Sequence, residues 1–117
     1  MRRTFFALLV VTVAVVGLHA QRVTYESITV AGTAIGLTDA IIRPPGEPQQ
    51  TACEGRLETA QVRYRFDGTN PTASEGVLLE VGDILSLRGT TNLVRFRAIR
   101  TGGTSGVLKI HCYQEAR

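Results

Sequence analysis

The sequence predicts an all-β protein folded as a small antiparallel β-sandwich. From residue 21 onward, apolar residues alternate with polar ones in short β-branched stretches, and no stretch shows the spacing of an amphipathic helix. The 12 glycines, together with Pro, Asn and Asp, separate these stretches and supply turns. Six or seven short strands with one buried face each are typical of two packed sheets, and a small closed β-barrel is the alternative.

The first element is expected to be a secretory signal peptide at residues 1–20. Arg2 and Arg3 form a basic start, and residues 5–18 make an uncharged apolar run. An uncleaved membrane anchor is the alternative, but this 14-residue run is shorter than the roughly 20 residues that cross a bilayer. We therefore expect residues 21–117 to be a single exported domain, secreted or periplasmic, with no membrane contact after cleavage.

Strands are expected wherever a β-branched or alternating run lies between turn residues. The expected strands are 22–30, 34–42, 52–66, 77–81, 83–88, 92–100 and 106–114. Segment 43–50, between the second and third strands, holds three of the four prolines and is expected to be a stiff, exposed connection. Turns are expected at 67–72, which contains Asp-Gly and Asn-Pro, and at 81–83, which contains Gly-Asp.

Three of these strands alternate clearly enough to assign a buried and an exposed face. The residues expected to face the core are Ala60, Val62, Tyr64 and Phe66, then Val94, Phe96 and Ala98, then Leu108, Ile110 and Cys112. The residues expected to face solvent are Arg63, Arg65, Arg95, Arg97, Lys109, His111 and Tyr113. Such one-sided burial suits a sandwich of immunoglobulin-like or jelly-roll-like type.

Two cysteines, Cys53 and Cys112, lie in the exported part and are expected to form one intramolecular disulfide. This bond requires their strands to be neighbours or to face each other across the two sheets. The alternatives are a metal pair, which lacks further ligands, and a catalytic thiol, which lacks a base at a recognisable spacing.

The net charge argues against a nucleic-acid partner. The whole chain has 13 Lys and Arg against 10 Asp and Glu, a formal charge of +3. Two of the basic residues belong to the expected signal peptide, which leaves 11 against 10 in the exported part. A nearly neutral domain lacks the basic excess that nucleic-acid binding requires.

Five short motifs follow one another between residues 32 and 113. They are GTAIGLT at 32–38, DGT-x-PT at 67–72, L-x-x-GD at 79–83, F-R-A-I-R at 96–100 and SG-x-L at 105–108. In this pattern the chain resembles small β-domain proteins found among the structural proteins of tailed phages. The resemblance implies a virion-associated structural role, with copies of itself or a larger assembly as partner.

A second resemblance is confined to one hairpin. The piece YRFDGTNPT at 64–72 is similar to the YTxDGSxPT hairpin of the immunoglobulin-like accessory domain attached to chitobiase and hexosaminidase-type enzymes. That accessory domain is non-catalytic, so this resemblance also implies a domain without an active site.

The arginines are the candidate binding residues. Arg63, Arg65, Arg95 and Arg97 are expected to form a ladder on one sheet face that suits carboxylate, sulfate or phosphate groups. The alternative is a solvated face whose counter-charges are Glu58, Glu80 and Asp83.

Catalysis has little support in the sequence. Ser86, His111 and Asp83 supply a nucleophile, a base and an acid on paper, but no motif or spacing supports them. The carboxylate pairs Glu54–Glu58 and Glu80–Asp83 read as surface residues, and His111 is the single histidine outside the signal peptide. We expect no enzyme, no catalytic residue, no cofactor and no metal.

Two functional classes remain open. The first is an exported structural or assembly module that presents loops and edge strands to copies of itself or to a scaffold. The second is a secreted module that binds glycans or a cell surface through the loops 43–50 and 67–76. Glycan binding favours exposed aromatic rings, and the few aromatic residues here are mostly expected in the core, so the sequence favours the first class.

Overall fold

The computed structural model describes residues 22–115, so the expected signal peptide at 1–20 lies outside the described residues. Within that range the chain forms seven strands and two short helices. They are β1 (Thr24–Val30), α1 (Asp39–Ile42), β2 (Ala52–Glu58), β3 (Val62–Arg65), β4 (Val77–Leu79), β5 (Ile84–Arg88), α2 (Thr90–Arg95), β6 (Arg97–Arg100) and β7 (Gly106–Tyr113).

The strands form two antiparallel sheets, which confirms the predicted all-β sandwich. The larger sheet has the order β1-β7-β2-β5, and the smaller sheet has the order β4-β3-β6. Their inner faces enclose one hydrophobic core. The largest fully buried apolar side chains are Phe96, Leu57, Leu85, Leu87, Leu93, Leu108 and Ile110.

Strand β7 is the best predicted element, and it lies between β1 and β2 in the larger sheet. Leu108, Ile110 and Cys112 are fully buried, and Lys109 and His111 lie on the outer face. A strand with two neighbours and one buried face shows a clean alternation, and this makes its register readable from sequence.

The predicted strand at 34–42 is wrong. Only Ile35 pairs, in an isolated bridge with Ala98 of β6, and the short helix α1 takes the end of the segment. The N–H groups of Ile41 and Ile42 both donate to the carbonyl of Thr38, at 3.0 and 3.3 Å, so the chain turns here instead of extending. This turn buries Ile42 in the core.

The predicted strand at 52–66 is two strands in different sheets. Thr59 has φ of 78°, and the Ala60 N–H donates to the Glu58 carbonyl at 2.9 Å, which together form a γ-turn. The turn directs β2 into the larger sheet and β3 into the smaller one. Because β3 ends at Arg65, Phe66 is 39% exposed rather than buried as predicted.

The predicted strand at 92–100 begins with a helix. Gly89, at φ of 94°, turns the chain out of β5, and α2 occupies the next six residues before β6 starts. Leu93 points from α2 into the core and is fully buried, which supports the helix despite its β-branched first residues. Val94 and Arg95 therefore belong to α2 and not to a strand.

One side of the sandwich is closed by the segment between β1 and α1. The Arg100 N–H of β6 donates to the Ala31 carbonyl at 3.0 Å. The Glu26 carboxylate of β1 accepts from the N–H and the hydroxyl of Thr38, at 3.1 and 2.8 Å. These bonds join the β1 edge of the larger sheet to the β6 edge of the smaller sheet. The opposite side, formed by β4 and β5, has no such cover among residues 22–115.

Candidate interaction surfaces

The predicted disulfide is confirmed, and it lies within one sheet. Cys53 of β2 and Cys112 of β7 are directly opposite each other, with their Cα atoms 4.1 Å apart, and their sulfurs are bonded. Both residues are buried. Since these are the two cysteines of the chain, neither a thiol nucleophile nor a cysteine metal ligand is available.

A buried amide anchors the proline-rich segment 43–50 beside this disulfide. Gln50 is 1% exposed, and its Nε2 donates to the Arg22 carbonyl at 2.8 Å and to the Cys112 carbonyl at 3.4 Å. The Gln50 N–H also donates to the Ile42 carbonyl at 2.8 Å. The tip of the segment is exposed as predicted, while its end is fixed by hydrogen bonds to three parts of the chain.

Three of the four candidate arginines share the outer face of the smaller sheet. Arg65 of β3 is directly opposite Arg97 of β6, and Arg63 is two positions along β3. Arg95 is separate from them, because it ends α2 and lines a shallow depression with Arg43. The structure therefore brings Arg63, Arg65 and Arg97 together and leaves Arg95 elsewhere.

The three clustered guanidinium groups are engaged with their own chain. Arg63 donates from Nη1 to the Gly76 carbonyl at 2.8 Å and from Nε to the Ala73 carbonyl at 3.3 Å. Arg97 donates from Nη1 to the carbonyls of Val94 and Phe96, at 3.0 and 2.6 Å. These contacts hold the loop 67–76 and the end of α2 against the sheet, and they leave fewer donors for an external anion.

Arg65 pairs with Asp67 in the turn that follows β3. Its Nε donates to Asp67 Oδ1 at 3.0 Å, its Nη2 donates to Oδ2, and the Thr69 N–H donates to Oδ1 at 3.3 Å. The hydrogen bonds from Arg65, together with the one from Thr69, lower the pKa of Asp67 to about 2. Arg63 and Arg65 thus fix the two ends of the loop 67–76 by hydrogen bonds. This loop is one of the two predicted binding loops.

The outer face of the larger sheet carries a shallow groove of about 460 Å³. Across it, the strand register places one row of four side chains and a second row beside it. The first row is Tyr25, His111, Glu54 and Ser86, and the second is Ser27, Lys109, Arg56 and Ile84. All of these residues except Ser27 and Ser86 line the groove, together with Val23, Gly55 and Tyr113.

The groove combines aromatic rings with charged groups. Tyr25 is 51% exposed, and its ring centroid lies 5.1 Å from that of His111. Lys109 donates from Nζ to the Ser27 hydroxyl at 2.9 Å, and Arg56 is directly opposite Lys109. This groove is not predicted from the sequence, because its residues come mainly from four strands whose order in the sheet the sequence does not reveal.

The candidate catalytic residues Ser86, His111 and Asp83 do not lie close together in the structure. Glu54 of β2 separates His111 of β7 from Ser86 of β5, so the base and the nucleophile lie two strand spacings apart, roughly 10 Å. Asp83 lies in the β4–β5 turn, where its carboxylate accepts from the Glu80 N–H at 2.9 Å. Within residues 22–115, no group of three or more His, Cys, Asp or Glu side chains is placed to hold a metal ion.

The segment from β4 to the start of β5, on the uncovered side of the sandwich, carries four exposed apolar residues. Val77, Leu78, Val81 and Ile84 are each 40–57% exposed and fall within eight residues, from β4 through the turn to the first residue of β5. They amount to half of the large hydrophobic residues that are exposed in the described part of the chain. We call residues 77–84 the β4–β5 patch.

Comparisons with protein-family models, with curated proteins and with solved structures find no match. No helix within residues 22–115 is long and apolar enough to cross a membrane. A function for this chain is therefore inferred from its surfaces.

Proposed function

We propose that this protein is an exported, non-catalytic structural module whose partner is itself or a larger assembly. The observation that carries the proposal is the β4–β5 patch, where exposed apolar side chains lie beside two uncovered strand edges. Unpaired strand edges and exposed apolar side chains are features through which β proteins associate. The resemblance to phage structural β domains suggests the same role.

Export is part of the proposal. A buried disulfide is compatible with an oxidising compartment outside the cytoplasm, and it stabilises a chain of this length. The expected signal peptide at 1–20 supplies the route. Together they favour a secreted or periplasmic location, or a virion-associated one if the phage resemblance reflects ancestry.

The oligomeric state of the exported protein tests this proposal. We expect its mass by light scattering during size-exclusion chromatography to rise above that of one chain as concentration increases. A double variant, Val77→Asp with Val81→Asp, is expected to lower that mass, because it places two charges in the β4–β5 patch. Val23→Asp, at a similarly exposed valine just before β1, is the control. A monomer at every concentration contradicts the proposal.

Glycan or cell-surface binding is the second candidate function, and the groove on the larger sheet favours it. An exposed tyrosine, a histidine and charged groups in one depression provide both a stacking surface and hydrogen-bonding groups. Retention on a glycan array that is lost in Tyr25→Ala supports this function. Tyr64→Ala is unsuitable as a control because Tyr64 packs against the core.

A further inference from the structure

Strand β5 forms one edge of the larger sheet, and its pairing with β2 fixes the direction of its backbone groups. The β2–β5 register runs from Ala52 opposite Arg88 to Arg56 opposite Ile84. Its continuation by one residue at each end places Thr51 opposite Gly89 and Leu57 opposite Asp83. The Gly89 N–H donates to the Thr51 carbonyl at 2.7 Å, and the Leu57 N–H donates to the Asp83 carbonyl at 3.3 Å. Each of these bonds is one of the two that a hydrogen-bonded pair of an antiparallel ladder exchanges, and the Leu57 carbonyl accepts from the neighbouring Gly82 N–H at 2.8 Å.

Hydrogen-bonded and non-hydrogen-bonded pairs alternate along such a ladder, and this alternation fixes the direction of the backbone N–H and carbonyl groups of every residue in β5. Leu85 and Leu87 direct their backbone groups to β2. Ile84, Ser86 and Arg88 direct their N–H and carbonyl groups away from the sheet. All three are exposed residues.

Little covers these outward groups. The Arg88 carbonyl accepts from Asn92 Nδ2 at 2.8 Å and keeps a second lone pair. Within residues 22–115, Ile84 and Ser86 have no strand or loop on this side. The edge also lacks proline and lysine, the residues that commonly prevent edge pairing.

The strand is complementary to itself. When two copies run antiparallel about a two-fold axis at Ser86, Ser86 lies opposite Ser86 of the second copy, and Ile84 lies opposite Arg88. Each of these opposed pairs exchanges two backbone hydrogen bonds, and every outward group of the three residues is used. A two-fold axis at any other position on the strand leaves some of these groups unpaired.

The side chains fit the same register. Leu85 and Leu87 are buried on the core face, and they lie opposite each other across the two-fold axis, which continues the apolar layer. On the outer face, Ile84 meets the aliphatic part of Arg88, and no like charges are opposed. A two-fold axis at Arg88 would oppose two arginines.

We propose that β5 binds β5 of a second copy in this register, centred on Ser86, and joins two four-stranded sheets into one continuous sheet. The proposal rests on the assembly function and names its interface. It follows the isologous geometry of two-fold dimers, in which the same surface serves both copies.

Charge-swap variants at the two-fold axis test this register. In Ser86→Glu, and separately in Ser86→Lys, two like charges are directly opposed, and we expect the dissociation constant to rise about tenfold or more at low salt. An equal mixture of the two variants opposes unlike charges, and we expect it to restore association. Thr29→Glu and Thr29→Lys place the same charges on the other edge strand, β1, and serve as matched controls.

A backbone variant tests the same pairing without adding a charge. Ser86→Pro removes an N–H that points away from β2, so we expect it to prevent pairing while the fold is retained, with far-UV circular dichroism as the check.

If the wild type associates but the Ser86 variants associate equally, or their mixture is not restored, the β5 register is overturned and the assembly function stands. If the wild type is monomeric at every concentration, both are overturned. A monomer that binds an unrelated extended peptide at this edge assigns the edge to another protein's strand.

Discussion

Arg65 and Asp67 lie two positions apart at the end of β3, and their contact lowers the pKa of an exposed carboxyl group. The carboxylate also accepts from the Thr69 N–H, so it closes the start of the loop 67–76. The alternation of the sequence predicted that Arg65 faces outward. It did not predict this contact, because the turn that follows Phe66 sets the position of Asp67.

We expect the pKa of Asp67 in the folded protein to be about 2, against an ordinary value of 3.8, and to rise towards 3.8 in Arg65→Gln. Carboxyl carbon shifts in a pH titration by NMR measure both values. Because the folded pKa is lower than the unfolded one, the pair contributes stability above about pH 4, and that contribution is lost as pH falls towards 2. Arg95→Gln is the control, since Arg95 lies on α2. An unshifted Asp67 in the wild type, or no change in Arg65→Gln, refutes the contact.

The disulfide could be predicted from the sequence, whereas the burial of Gln50 could not. Cys53 and Cys112 were predicted as a pair because two cysteines in an exported chain leave one pairing. Gln50 is buried and hydrogen-bonded beside Cys112, whereas its neighbour Gln49 is partly exposed, and nothing local distinguishes the two. Burial of a polar side chain depends on partners that are distant in sequence, here Arg22 and Cys112.

At the scale of elements, alternation predicted strands well and their ends poorly. The regions of β1, β5 and β7 were predicted to within two residues at each end. The break after β2 was missed because the γ-turn at Thr59 uses neither Gly nor Pro. Helix α2 was missed because six residues are too few to show helical spacing, and its first two residues are β-branched threonines.

Gly55 shows why the central pair β2–β7 tolerates little change. A Cβ atom there would lie 2.5 Å from the Lys109 carbonyl oxygen and 3.0 Å from Ile110 Cβ, and both neighbours are fixed in β7. We expect Gly55→Ala to lower the free energy of unfolding by about 1–3 kcal/mol. The midpoint of urea unfolding measures this change.

Gly102→Ala is the matched control for this substitution. A Cβ atom at Gly102 meets nothing within 4 Å, in the loop between β6 and β7. We expect no loss of stability there, because alanine adds no clash and restricts the unfolded chain. Equal urea midpoints for the two variants contradict the close packing of β2 on β7.

At the scale of the whole molecule, the two sides of the sandwich differ. The segment 31–42 covers the edges of β1 and β6 on one side. On the other side, no described segment pairs with the outer edges of β4 and β5, which lie beside the β4–β5 patch. If copies of this chain associate through strand edges, as proposed above, we expect them to do so on the β4–β5 side, because the segment 31–42 bonds to the other side.

The disulfide acts at this largest scale, because the loop it closes contains the entire smaller sheet. Cys53 and Cys112 are 59 positions apart, and β3, β4 and β6 all lie between them. In the chain-entropy description, a disulfide that closes a loop of this length lowers the entropy of the unfolded chain and stabilises the fold by about 4 kcal/mol. We expect a Cys53→Ala/Cys112→Ala double variant to melt about 15–30 °C below the oxidised wild type. Thiol reduction of the wild type is the control and should give a similar loss, since it breaks the same bond without changing a side-chain volume. A melting temperature that neither treatment changes shows that the two sheets hold the fold without this cross-link.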